Sequence, residues 1–482
     1  MDNLKQKAFR GLTWNLLDKV INQAGSFVLL IYLSRVLTPS DFGLVAMLAI
    51  FLLVAQSLID SGFSQALIQK SGNVTEVDFS TVFYLNLTVS GFLYCSLYFS
   101  APSIAIFYDS AELVDLSRVL FTVVIINSLA LVPRAKLTIS LDFKTQSLIN
   151  SVATIVSAGL AIYMVNDGYG YWSLVGMTIS RSSVIAILLI GCSSWHPRWL
   201  FSLKSCKTLF SFGSNLLVAG VIATAVQNLY SVLIARYFNA AQLGFFYQSF
   251  QYTNMLSHTL TSAIQGVTFP VMSSVQRDKR RLVSIYTRVM GVVVLITFPT
   301  FVGFSAISEE FVLIFLGSQW IPMIPVLFIL ALARTFTPIN ALNLNILNAR
   351  GRSDLFLKAD LIKLPVSLAG LLIAIPYGIV AVAISQLIFV VVSFFINTYY
   401  PGKLFGFGAR KQLKQIFPVA LASGFMYICI ELVQAEILIM QLIIKIVVGM
   451  FSYCLACWIL RVPSFIHLRD IILRQLKLRT SP

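Results

Sequence analysis

Apolar residues run along this chain in long blocks broken by short polar stretches, and most blocks reach the roughly 20 residues that carry a helix across a bilayer. Fourteen blocks predict spans at 11–34, 42–62, 79–101, 113–133, 147–165, 171–193, 209–235, 243–268, 284–305, 322–348, 357–376, 379–397, 415–432 and 437–460. Inside them the polar positions fall three or four residues apart, the helical period, rather than alternating as they would in strands. The connections are short, and none holds a folded domain. The expected fold is an all-α polytopic membrane protein of about fourteen helices.

Charge orders these spans. With the N-terminus placed inside, 26 of the 35 Lys and Arg fall on one face of the membrane or at its edge, and the opposite loops hold two, Arg35 and Arg236. Those opposite loops carry the acids Asp41, Asp109, Glu112, Asp167, Glu309, Glu310, Glu431 and Glu436. Lys and Arg collect on the cytoplasmic side of membrane proteins, so both termini are expected in the cytoplasm. Composition agrees, since 58% of residues are hydrophobic and 11% charged, against about a quarter charged in a soluble protein. The net charge of +16 is then a topology signal facing anionic lipid, and nucleic acid is excluded as its partner.

A shift of 201 residues superposes Arg35 on Arg236 and Gly43 on Gly244, with Leu16, Leu17, Val20 and Ile21 on Leu217, Val218, Val221 and Ile222. A second echo, at 208, sets Gly170 on Gly378, both in expected tight turns between spans. Six spans per copy is an even number, so the copies enter the membrane in the same direction. Parallel repeats of that kind are related by an axis along the membrane normal and frame a cleft. The expected organisation is an N-terminal lobe over 1–200, a C-terminal lobe over 201–400, and two further spans with a basic tail over 401–482.

Seven basic residues remain within spans: Lys19, Arg118, Arg181, Arg288, Arg334, Lys363 and Lys445. Charge at that depth is costly and faces a wet cavity or a partner. Arg118 and Arg288 are near span ends and can reach the headgroups. Arg181 and Arg334 lie near mid-span without an acid at similar depth, and Lys19 adjoins Asp18. Polar stripes mark the helix faces turned to water: Gln248, Gln251, Asn254, His258, Thr261 and Gln265 in span 8; Asn15, Asp18, Asn22 and Ser26 in span 1; Thr224, Gln227, Asn228 and Ser231 in span 7; Gln56 and Asp60 in span 2. A cationic, amide-rich interior suits an anionic, hydroxyl-rich cargo, with Lys19, Arg181 and Arg334 meeting phosphate and Asn22, Gln227, Gln251, Asn254 and His258 meeting sugar. The six cysteines and three histidines have no metal-site spacing, and Cys454 and Cys457 sit in an apolar helix.

The segments FGLVAMLAIFLLVAQSLIDSGFSQALIQK, FPVMSSVQRDKRRL, FVLIFLGSQWIPMIPVL and LNARGRSDLFLKADLIK resemble the Wzx-type exopolysaccharide and O-antigen flippases, in the colanic-acid and teichuronic-acid branch of the multidrug/oligosaccharidyl-lipid/polysaccharide superfamily. The resemblance runs along essentially the whole chain. It implies a MATE-like, two-lobed fold and alternating-access transfer of an undecaprenyl-pyrophosphate-linked oligosaccharide, with polymerase and export machinery as onward partners. No cofactor is expected; Asp18 and Asp60 are the candidate carriers for proton or sodium coupling. The rival readings are a transporter of a peptidoglycan precursor or a cationic drug, a glycan polymerase, which the short outer loops disfavour, and a scaffold for assembly machinery, which leaves the polar stripes unexplained.

Overall fold

The computed structural model describes residues 22–60, 67, 74–193, 195–207, 224, 228–275, 278–350, 352–467 and 469–470. These residues are overwhelmingly helical. The main helices are α1 (22–36), α2 (Pro39–Asp60), α3 (Glu76–Tyr108), α4 (Leu113–Leu120), α5 (Thr122–Ile139), α6 (Phe143–Asn166), α7 (Trp172–Cys192) and α8 (Leu229–Tyr237). They continue as α9 (Ala240–Ser274), α10 (Lys279–Ala306), α11 (Ile324–Arg334), α12 (Thr337–Ala349), α13 (Ser353–Ala374), α14 (Ile379–Phe405), α15 (Ala409–Glu431) and α16 (Leu438–Ile459). Among the described residues, 11 helical stretches are long and apolar enough to cross a membrane. α9 adds a 35-residue helix, about 50 Å at 1.5 Å per residue, whose polar stripe lowers its hydropathy. Most of expected span 7 and the first half of span 1 lie outside the described residues.

Local chemistry sets the helix ends. Thr75 accepts from the Asp78 backbone N–H while the Asp78 carboxylate accepts from the Thr75 N–H, a reciprocal cap that fixes the start of α3. Gly170 and Gly378 take positive φ of 53° and 92° in the turns before α7 and α14, which is why the same residue type recurs there in the two halves. Hydrogen bonds also report direction. Asn22 of α1 meets Thr154 of α6, and Tyr32 of α1 donates to Asn166 at the end of α6, so the first and fifth spans run parallel, as two odd-numbered spans must.

The contacts divide the chain into two units, Met1–Tyr247 and Gln248–Pro482. The first is built on α2, α3 and α5 around Ile59, Val82, Phe83, Val124 and Val132, with Trp195 closing one end. Within it the 201-residue repeat becomes a physical contact. A Cβ built on Gly43 would lie 1.8 Å from the Ala240 carbonyl oxygen, and one on Gly244 would lie 1.9 Å from the Pro39 carbonyl oxygen. Pro39 and Ala240 are themselves related by the shift of 201, so the crossing is reciprocal: each copy's glycine receives the other's backbone.

The second unit packs α10, α12, α14, α15 and α16 around Met290, Val294, Leu342, Phe394 and Cys457. Three fully buried polar side chains, Tyr286, Asn343 and Gln412, satisfy one another, and Gln412 also donates to the Phe407 carbonyl. Glu310 falls in the connection between α10 and α11, as the sequence reading has it, but it is buried there. The stretch after α10 continues as helical turns over Ser308–Phe311, Val312–Leu316 and Ser318–Met323, and Phe311, Val312, Leu316 and Trp320 are buried. Those apolar side chains draw Glu310 in with them, to 1% exposure, where it pairs with Lys445 of α16 at 2.5 Å and accepts from Gln441. The loop looked polar from Glu309 and Glu310, but its apolar residues decide its burial. Removing one member leaves the other charge buried, which costs about 3–5 kcal/mol, whereas removing both costs far less. Lys445→Met alone is therefore expected to lower the unfolding temperature sharply in detergent, and the Glu310→Gln/Lys445→Met pair to recover most of the loss.

Candidate functional site

Exposure rises along the first half of the polar stripe of α9 and falls again at Thr261 and Gln265, which are half-buried. Gln248 is fully buried, Gln251 and Asn254 are half-buried, and His258 is exposed, over about 15 Å of helix. His258 is thus the most accessible of these four stripe residues. Arg334 adjoins this helix. Expected span 10 is broken there: α11 ends at Arg334, α12 begins at Thr337, and Pro338 occupies its first turn, where a missing N–H costs nothing. The break sets the guanidinium 4.6 Å from the ring centre of Phe250 on α9. Its Nη2 is buried with no hydrogen-bond partner among the described residues. A cation held only by a ring face keeps donors in reserve, and a planar guanidinium matches a phosphate oxygen pair.

The first unit holds a second polar group. Asn22 accepts from Thr154 at 2.6 Å, and Asn127 of α5 donates to Gln56 of α2 at 2.8 Å. Arg181 is exposed at the middle of α7. Asp60 is the last residue of α2. Lys19, Asp18 and Gln227 lie outside the described residues. Arg118 is half-buried and lies 4.7 Å over the Tyr98 ring with its Nε buried. Thr154 and Phe250 are the partners that sequence reasoning missed. Thr154 had a signal, since Ser147, Asn150, Thr154 and Ser157 recur at helical spacing in span 5; Phe250, one apolar residue within a stripe, had none.

A cavity of about 500 Å³ opens within the second unit, lined by Leu256, Pro299, Phe304, Met426, Met450 and other apolar residues, with Lys445 as its one charged lining residue. Such a lining accepts hydrocarbon. Among the described residues, no three His, Cys, Asp or Glu side chains gather as metal ligands.

A sequence model of the polysaccharide biosynthesis protein family matches residues 32–325. This chain is a member of that family. Its relatives include the teichuronic acid biosynthesis protein TuaB of Bacillus subtilis, 26% identical with 74% of each chain covered. The lipopolysaccharide biosynthesis protein WzxC of Escherichia coli is 23% identical, with 75% of this chain and 74% of its own covered. Among solved structures, the lipid II flippase MurJ in an inward closed conformation superposes with a TM-score of 0.74 at 15% identity, over 96% of this chain and 100% of its own. An inward-facing multidrug-resistance MATE transporter of the MOP superfamily gives 0.62 at 15% identity, over 83% and 96%. The fold of this chain is thus like that of MurJ and the MATE transporter. The match to residues 32–325 spans α9 and reaches the start of α11, so the helix bearing Phe250 and the stripe belongs to the family region, and Arg334 falls just beyond it.

Proposed function

We propose that this protein moves an undecaprenyl-diphosphate-linked oligosaccharide from the leaflet at its basic face to the opposite leaflet by alternating access, for exopolysaccharide, capsule or O-antigen assembly. The basic face is the cytoplasmic one, the membrane is the bacterial inner membrane, and both termini lie inside. The observation that carries the reading is Arg334: a cation inside a span, over an aromatic ring, with an uncommitted donor beside a helix whose amides and imidazole lead outward to exposure. Arg334 meets the diphosphate, and Arg181 and Lys19 are the other candidate phosphate contacts. Gln251, Asn254, His258, Asn22 and Gln227 meet sugar hydroxyls, and the apolar cavity takes part of the isoprenoid chain. The relatives' names support a role in surface glycan assembly, with a polymerase and an exporter acting downstream. Asp18 and Asp60 are the carriers for proton or sodium coupling. A cationic drug as cargo is disfavoured, because the exposed-to-buried stripe leads to a cation rather than to a carboxylate.

The test is the lipid fraction of cells lacking the gene. Complete lipid-linked repeat units are expected to accumulate in the inner leaflet while surface polysaccharide disappears, with both restored by the wild-type gene. Unchanged surface glycan, or accumulation of incomplete units, would overturn the reading.

A further inference from the structure

The connection from α7 towards span 7, residues 195–207, lies outside the transport argument and has a chemistry of its own. We propose that it is a binding surface for anionic glycerophospholipid in the leaflet at the basic face. Its backbone is fixed to α3: the Arg198 N–H donates to Ser80 Oγ at 3.4 Å and the Ser202 N–H to Thr81 Oγ1 at 3.1 Å. Trp195 is buried against Phe79 and Phe83, with ring centres 6.2 and 5.7 Å away. With the inward side of the segment anchored, the outward side presents Trp199 at 93%, Leu203 at 77% and Phe201 at 55% exposure. Interleaved with them are the exposed side chains of Arg198, Lys204 and Lys207.

Depth argues for lipid rather than water. Trp199 stacks on Tyr84, 5.3 Å between ring centres and 17° from parallel. Tyr84 lies eight residues into α3 from Glu76, which pairs with Lys136 of α5 at the charged end of the bundle. Eight residues are about 12 Å of helix, which carries the indole past the headgroups to the start of the hydrocarbon, the level where Trp anchors in bilayers. The basic residues beside it then lie at phosphate height. Charge fixes which lipid. No Asp or Glu occurs between Asp167 and Asp278, so the segment has no acid of its own to compete with a phosphate. Three cations within ten residues, beside an inserted aromatic, favour a headgroup of net negative charge over a zwitterion.

The test uses the full-length protein reconstituted in phosphatidylcholine vesicles containing phosphatidylglycerol, with bromine on the acyl chains of one lipid or the other. Trp199 emission is isolated by subtracting the Trp199→Phe variant. At equal mole fraction, brominated phosphatidylglycerol is expected to quench Trp199 about threefold or more beyond brominated phosphatidylcholine, and about 0.5 M salt is expected to reduce that preference. The Arg198→Gln/Lys204→Gln/Lys207→Gln variant is expected to keep quenching by both lipids and lose the preference. Equal quenching by the two lipids in the wild-type protein would overturn the proposal, as would quenching by aqueous iodide alone. Displacement of the brominated lipid by an equimolar isoprenyl diphosphate would also overturn it, by assigning the surface to the transported carrier.

Discussion

Arg334→Gln is expected to reduce transport of the lipid-linked oligosaccharide at least about tenfold, equivalent to about 1.4 kcal/mol or more of lost interaction, while leaving the protein as stable as before or more so. The two halves of that expectation have one cause. A guanidinium with a buried, unsatisfied nitrogen is a penalty in the empty protein, offset in part by the Phe250 ring 4.6 Å away. Removing it relieves the penalty, whereas a residue kept for packing or pairing would destabilise when cut. Arg334→Lys is expected to fall between the two, because an ammonium retains the charge but not the planar fork that engages two phosphate oxygens together. Transport measured beside the unfolding temperature separates the cases: a large loss of stability in Arg334→Gln with proportionate loss of transport would mark the residue as structural.

The second large effect is expected at the reciprocal glycine crossing. Alanine at Gly43 or Gly244 places a carbon within 1.8 or 1.9 Å of a backbone carbonyl oxygen, and a backbone in a helix start cannot swing aside as a side-chain end can. Alanine improves helix propensity by about 0.5–1 kcal/mol, but overpacking of this kind costs about 1–3 kcal/mol and takes the upper end when the obstacle is backbone. The net sign is destabilising. The two single variants are expected to match in size, since the contact is symmetric, and the double variant to add little, since once the crossing has parted the second methyl meets no obstacle. Gly91→Ala and Gly159→Ala, where a Cβ meets nothing within 4 Å, are the controls and are expected to be neutral or slightly stabilising. If the crossing closes one face of the transporter during its cycle, the same variants lower transport more than stability; thermal melts and uptake measured on one preparation resolve the two.

Much of this architecture was readable from sequence because the bilayer constrains it so strongly. Among the described residues, eleven of the expected spans coincide with helical stretches long and apolar enough to cross a membrane, with ends that differ by up to eight residues; span 2, for example, is expected at 42–62 and found at Pro39–Asp60. The repeat was legible as Gly43 over Gly244, and the crossing explains why glycine is needed at both positions. What stayed hidden needed knowledge of neighbours. Glu310 looked like a loop acid because the sequence shows its charge but not that Phe311, Val312 and Trp320 pull its turn inward. The ring of Tyr98 beneath Arg118 is not legible either, since nothing in the sequence sets the two side by side. The stripe of α9 was visible by period, but its grading from Gln248 to His258 depends on which helices cover which end. Arg334 was singled out by depth alone; the helix break and the Phe250 ring that define its environment come from the fold.

Transfer of a lipid-linked anionic glycan between leaflets is directly measurable. The most direct measurement reconstitutes the purified protein into vesicles containing an undecaprenyl-diphosphate-linked oligosaccharide and follows its exposure to a glycan-cleaving enzyme added outside. Cleavage is expected to pass beyond the outer-leaflet half towards completion with wild-type protein, and to stop near one half in protein-free vesicles and with Arg334→Gln. Cleavage that stops at one half with the wild-type protein, under conditions where the protein is folded and a proton or sodium gradient is imposed in either direction, would contradict such transfer.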